Sequence, residues 1–198
     1  AGLEETAALV AALDVGQSDG PNCHIQTADL SDAAACHAII PAAIAAYGRL
    51  DALCNVAGVL HMANTPTMPQ EQWDRIIAVN LSAPFFLSQA AIPHLLETDG
   101  AIVNVASCAA FQGQAYTAAY GASKAGLVNM TKSMAMEYQK KSIRINAVAP
   151  GGMMTPIAMT VRPPEGFDVD LLKRYSGMRG TVAVEDVADM VVLLATPA

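Results

Sequence analysis

Two tyrosines four residues apart and a lysine four residues further on stand in the stretch QAYTAAYGASKAG, Gln114 to Gly126. In an α-helix, residues four apart share a face, so Tyr120 and Lys124 are neighbours, whereas Tyr116 lies two turns from the lysine. A phenol with a pKa of about 10 is a poor acid or base at neutral pH, and a cation held against it stabilises the phenolate. The spacing therefore favours Tyr120 over Tyr116, and the pair alone fits either a tuned proton donor or a solvated helix face. Tyr116 shares that face without a cation and is expected to line a pocket rather than react.

The elements that must position this pair alternate along the chain. Gly2 to Leu13 reads as a helix, Cys23 to Ala28 as a strand running into Asp29, and Asp32 to Tyr47 as a helix capped by Ser31. A strand follows at 52–56, and then a helix in two pieces over 67–97 with Pro84 near the join. GAIVNVAS is the next buried strand; a long helix over 115–139, the strand SIRINAVAP and a closing helix from about 181 complete the pattern. Short apolar runs alternating with helices predict an α/β fold with a parallel sheet. Residues 152–180, rich in Gly, Pro and Met, are expected to form a lid over a pocket, and 1–198 a single domain. In such sheets ligands bind beyond the carboxyl ends of the strands. Asp29, Asn55 to Gly58, Ser107 and Pro150 to Thr155 each follow directly on a predicted strand, and Tyr120 and Lys124 follow on the Ser107 strand.

Composition narrows the function. Of 198 residues, 53% are hydrophobic, which describes a well-buried core. Eighteen acidic against 11 basic residues give a formal charge of −7, which argues against nucleic acid as a partner. Cys23, Cys36, Cys54 and Cys108 show no C-x-x-C spacing and no matching histidine pattern, so no metal is expected and the thiols read as reduced, mostly core residues of a cytoplasmic protein. The apolar stretch Ala33 to Gly48 is interrupted by His37 and Pro41 and is too short to span a bilayer, so no membrane is expected. No targeting signal is visible in the opening AGLEETAALVAAL. The methionines 62, 153, 154 and 159, with Phe111, suggest an apolar substrate chamber.

Taken together, D-L-S-D (Asp29 to Asp32), N-V-A-G (Asn55 to Gly58), Asn80 within AVNLSAPF, VNVASCAA with Ser107, Y-G-A-S-K (Tyr120 to Lys124) and P-G-G-M-M-T (Pro150 to Thr155) resemble the short-chain dehydrogenases/reductases. The likeness covers nearly the whole chain, and Ser107 stands thirteen residues before Tyr120. It implies a Rossmann-like doubly wound parallel sheet with helices on both faces. It also implies an NAD- or NADP-dependent oxidoreductase that interconverts a secondary alcohol and a ketone. By this resemblance Tyr120 is the general acid or base, Lys124 lowers its pKa and holds the cofactor ribose, Ser107 binds the substrate oxygen, and Asn80 positions a water in the proton relay. Asp29, with Leu30 beside it, would face the adenine. Asn55, Ala57 and Gly58 would let backbone approach the ribose, Pro150 and Gly151 would flank the nicotinamide, and Thr155 would bond its carboxamide or a phosphate. Val56 departs from the usual second asparagine of that motif.

The family's glycine-rich phosphate loop, T-G-x-x-x-G-x-G, does not occur in the sequence. The resemblance implies that the text begins in the helix before the third strand and ends before the seventh. On that reading the chain is part of a working enzyme, the alternative being a non-catalytic scaffold or interaction protein on a truncated fold. NAD and NADP stay equally open, because the deciding residue normally follows the second strand. The family also implies a homodimer or homotetramer paired through the helices near Phe85 to Leu96 and Ala115 to Gln139, with a small apolar alcohol or ketone as substrate.

Overall fold

A computed structural model describes residues 23–175, 177 and 180–197. The helix expected over Gly2 to Leu13 lies outside the described residues, as do three positions of the expected lid. The sheet has three parallel strands in sequence order, β1 (Ala52–Asn55), β2 (Ala101–Val105) and β3 (Arg144–Val148). Ala52 stands opposite Ala101 and Ala101 opposite Arg144, so all three strands run out at the same edge.

Helix α1 (Ala33–Tyr47) starts at Asp32, whose Oδ1 accepts the Ala34 N–H at 2.9 Å, and not at Ser31. Ser31 is engaged one step earlier, donating both its N–H (2.9 Å) and its hydroxyl (2.7 Å) to Asp29 Oδ1 in a turn. The helix stops at Gly48, which takes the left-handed conformation (φ +75°) that returns its N–H to Ile44.

Helix α2 (Gln70–Ile77) passes through a π-helical turn (Ala78–Ser82) into α3 (Ala83–Glu97) without a break. The expected two pieces are thus one continuous helix. Pro84 follows directly on the π-helical turn, the kind of local irregularity that accommodates a proline inside a helix. By length and composition 70–97 is apolar enough to cross a membrane, yet half of its most apolar window is buried in the protein. Leu87, Ala91, Ile92 and Leu95 of α3 pack with Cys36 and Ile40 of α1 and with Ile102 of β2.

Strand β2 is buried at every residue, as a central parallel strand should be. Ile102 and Asn104 face α3 and α4 (Ala118–Glu137), so Ala101, Val103 and Val105 face the opposite side. There α7 (Val184–Ala195) packs across all three strands. The flanking helices therefore lie on both faces. Arg144 fastens the end of α7 to the start of β3 through the carbonyls of Leu194 (2.7 Å) and Thr196 (2.9 Å). Between β3 and α7 the chain carries two five-residue helices, α5 (Pro156–Thr160) and α6 (Val169–Lys173), and closes with a bridge between Met153 and Val182.

Two sequence expectations are corrected. Cys23 to Ala28 forms no strand: the described sheet offers it no partner, and a strand exists only through its ladder. Of the four free cysteines only Cys36 is a core residue, while Cys54 is exposed because it alternates with Leu53 and Asn55 and faces away from α3.

Candidate active site

The carboxyl ends of β1, β2 and β3 bring most of the expected residues to one edge. β1 ends at Asn55, a buried side chain whose Nδ2 donates to Asn104 Oδ1 at 2.8 Å. Asn104 in turn donates to the Thr131 hydroxyl of α4 at 2.9 Å, which donates to the Leu127 carbonyl. The Asn55 amide nitrogen is thus engaged inside the fold, while Val56 and Ala57 after it are exposed. Asn104 and Thr131 were not singled out from sequence. A lone polar residue in the apolar run AIVNV is the signal that marks such a bond.

The glycine turn after β1 is fixed by Asn80. Its Oδ1 accepts the Val59 N–H at 2.8 Å, and its Nδ2 donates to the Val59 carbonyl (2.9 Å) and the Ser123 hydroxyl (3.1 Å). Both amide protons are engaged, so the side chain clamps the turn and has none left to donate to a water. The π-helical turn is what carries Asn80 inward to this fully buried place.

Two residues past the end of β2, Ser107 accepts the Ala109 N–H on its Oγ at 3.2 Å, and its hydroxyl lies beside the Tyr120 phenol. Cys108 N–H donates to the Pro150 carbonyl at 2.9 Å, which ties the exits of β2 and β3 together beside Gly151. Burial pushes the Tyr120 phenol above its ordinary value, the Ser107 hydrogen bond pulls it back, and the Cys108 thiol adds a smaller upward push.

Lys124 lies one turn into α4, only 4% exposed, and its Nζ donates to the Val105 carbonyl at 2.7 Å. The ammonium stands 5.9 Å from the centre of the Tyr120 ring. The cation bonds to the end of β2, and the influence that lowers the phenol comes from Ser107. Desolvation lowers the lysine itself, to about 8.

That displacement has a sign in stability. The unfolded chain holds the lysine proton up to 10.5, the native chain only to about 8. Burying the cation therefore costs stability at and below pH 8, and the cost fades as pH rises toward 10.5. The difference of two and a half pH steps corresponds to about 3 kcal/mol. Denaturant titrations of the parent protein and Lys124→Met should show the parent gaining stability relative to the variant between pH 8 and 10.5. A constant difference across that range would contradict the buried-cation assignment.

Gly58 leaves the space between these groups. A Cβ built there would meet Asn80 Oδ1 at 3.4 Å and Lys124 Nζ at 3.5 Å. The hollow is lined by one buried ammonium and a fixed amide, which suits the hydroxyls of a ribose. Asp29 stays in its exposed turn, its carboxyl held below the ordinary range mainly by the Ser31 hydroxyl. Leu30 packs against the α1–α3 core, so its side chain is committed to packing. Thr155 caps α5, accepting the Ala158 N–H at 3.4 Å.

Tyr116 lines a cavity as expected, but from outside the helix. Helix α4 begins at Ala118, so Tyr116 precedes it, with a left-handed backbone (φ +67°). Its carbonyl accepts the Ala63 N–H at 2.9 Å, and its phenol oxygen accepts the Asp168 N–H at 2.8 Å. With Asn64 donating to the Glu165 carbonyl at 3.5 Å, these bonds hold 164–168 against the loop after β1. The methionine chamber does not form: Phe111, Met154 and Met159 are exposed. A cavity at the start of α4 is walled instead by His61, Met68, Trp73, Tyr116, Ala118 and Ala119.

A family model described as short chain dehydrogenase matches residues 2–166. The 2-dehydro-3-deoxy-D-gluconate 5-dehydrogenase of Escherichia coli is 34% identical over 174 residues, 87% of this chain and 68% of that protein. The 3-oxoacyl-acyl-carrier-protein reductase FabG of Thermotoga maritima is 38% identical over 160 residues, 80% of this chain and 63% of its own length. Among solved structures, a blue fluorescent protein from a metagenomic library in complex with NADPH superposes with a TM-score of 0.74 at 31% identity, covering 86% of this chain and 67% of that one. The chain thus spans about two thirds of the length of the relatives it matches.

Proposed function

The chain belongs to the short-chain dehydrogenase family, and from that premise we propose that it interconverts a secondary alcohol and a ketone with NAD or NADP, Tyr120 being the proton donor and acceptor. The observation that carries this reading is the set at the sheet edge: a half-buried phenol beside the Ser107 hydroxyl, with a buried ammonium 5.9 Å from its ring.

A bound nicotinamide cofactor would supply the hydride chemistry. The chain's own residues handle the oxygen. The Ser107 hydroxyl donates to the carbonyl oxygen where negative charge develops, and Tyr120 delivers its proton to that oxygen to complete the alcohol. In oxidation Tyr120 takes the proton of the alcohol oxygen. Lys124 and the hollow over Gly58 hold the ribose, and the Lys124 charge steadies the phenolate left behind. Asn80 keeps the glycine turn in place. Asp29, Leu30, Asn55, Ala57, Pro150, Gly151 and Thr155 would contribute further contacts to the cofactor from the positions they occupy. The excursion over 152–180 acts as the lid, and α3 and α4, with Phe85 and Met136 exposed, are the faces through which subunits pair as a dimer or tetramer.

The test is absorbance of the reduced cofactor with purified protein, a panel of ketones for reduction and of secondary alcohols for oxidation. Turnover of at least one pair with NAD or NADP is expected. Cofactor binding without any turnover across the panel would refute the reading.

Ser107 has a separable signature. Because its hydrogen bond lowers the Tyr120 phenol, Ser107→Ala should raise that pKa further. Alcohol oxidation, which needs the phenolate, should then rise with pH along a profile displaced to higher pH, with kcat down about a hundredfold. An unshifted profile would show that Ser107 does not tune the phenol.

A further inference from the structure

We propose that the cavity between α2 and the first turn of α4 is the substrate subsite for an uncharged ring, one ring carbon bearing the reacting oxygen. The inference rests on the oxidoreductase reading and adds the substrate class to it.

The cavity holds about 320 Å³, at the small end of ligand sites and suited to a single substituted ring. It begins at Ala118 and Ala119, immediately before Tyr120 on the same helix. Two aromatic side chains, Trp73 from α2 and Tyr116, face it together with the polarizable Met68. The two alanines keep the α4 side flat. Among the described residues no Asp, Glu, Lys or Arg lines it, and His61, Thr65 and Gln70 are the polar groups able to hydrogen-bond a ring substituent. A carboxylate or phosphate entering here would lose its water without gaining a cation.

Tyr116 is held as a wall. Its carbonyl is bonded to Ala63 N–H and its phenol oxygen to Asp168 N–H, so its ring is fixed from both ends. A residue kept at φ +67° without being glycine is over-determined by its surroundings. The wall is therefore preformed, which favours a rigid planar or chair-shaped ligand over a floppy chain that must also be ordered.

Trp73 is the chain's one tryptophan and reports on the site directly. The protein is titrated with 4-methylcyclohexanone and with 4-oxocyclohexanecarboxylate, without nicotinamide, and the emission that Trp73→Phe removes is followed. A saturable change with the uncharged ketone is expected, with affinity at least tenfold weaker for the carboxylate. Ala118→Phe, which adds bulk at an exposed wall position, should weaken the uncharged ketone at least tenfold. Equal affinity for the two ketones, or no saturable response, overturns the proposal. An Ala118→Phe protein that is folded and binds normally overturns it as well. If the ring binds but no nicotinamide-linked turnover occurs on any substrate, the oxidoreductase reading fails and the subsite stands. If ketones turn over while Trp73 stays silent, the reading stands and the subsite falls.

Discussion

Tyr120→Phe leaves cofactor binding intact and lowers kcat by about a hundredfold to ten-thousandfold, the range that positioned general acid catalysis supplies. Phenylalanine keeps the ring and its packing and removes only the hydroxyl, so the proton and the bond to Ser107 are lost together. Tyr116→Phe provides the contrast. It removes the acceptor of the Asp168 N–H, 52 residues away in the chain, and touches nothing bonded to Ser107. Its expected result is a few-fold rise in substrate KM with the pH profile of kcat unchanged. Steady-state kinetics of the two variants separate the roles, and a Tyr116 loss exceeding the Tyr120 loss would mean that the acid has been misassigned.

Lys124→Met abolishes turnover to a similar extent but, unlike the tyrosine change, also weakens the cofactor. Hydrogen bonds from a charged group are each worth about 1.5–3 kcal/mol, so losing the ammonium beside the Gly58 hollow should raise the cofactor Kd about tenfold to a hundredfold. Methionine preserves the length and apolar character of the stem. Fluorescence titration with the reduced cofactor reads the affinity directly. An unchanged Kd would remove Lys124 from the ribose and leave it as a support for the end of β2, whose Val105 carbonyl it bonds.

The catalytic spacing was legible because it rests on helix periodicity, and α4 does carry Tyr120 and Lys124 one turn apart. The strand positions 52–56 and 101–105 were legible for a similar reason, since apolar runs bounded by glycine turns have few other uses. Tyr116 was placed inside the helix because the helix was extended three residues too far. Nothing local in QAYTAAY marks a left-handed tyrosine, and that conformation is imposed by bonds to Ala63 and Asp168 from remote segments. The same limit applies to Cys23 to Ala28, whose composition suits a strand but whose state depends on a partner. Asn80 was found for its position, yet its task as a clamp on Val59 came only with the π-helical turn. Methionine composition pointed to the wrong cavity, because a flexible apolar side chain on an exposed excursion need not face inward.

The most direct test of the central claim is the fate of a labelled hydride. The protein is given a ketone that it turns over and a reduced nicotinamide cofactor carrying deuterium at its hydride-donating carbon, and the alcohol product is analysed by mass spectrometry. The account predicts one deuterium, on the former carbonyl carbon, with the hydroxyl proton drawn from solvent through Tyr120. An alcohol without deuterium, or deuterium transfer undiminished in Tyr120→Phe, would contradict it.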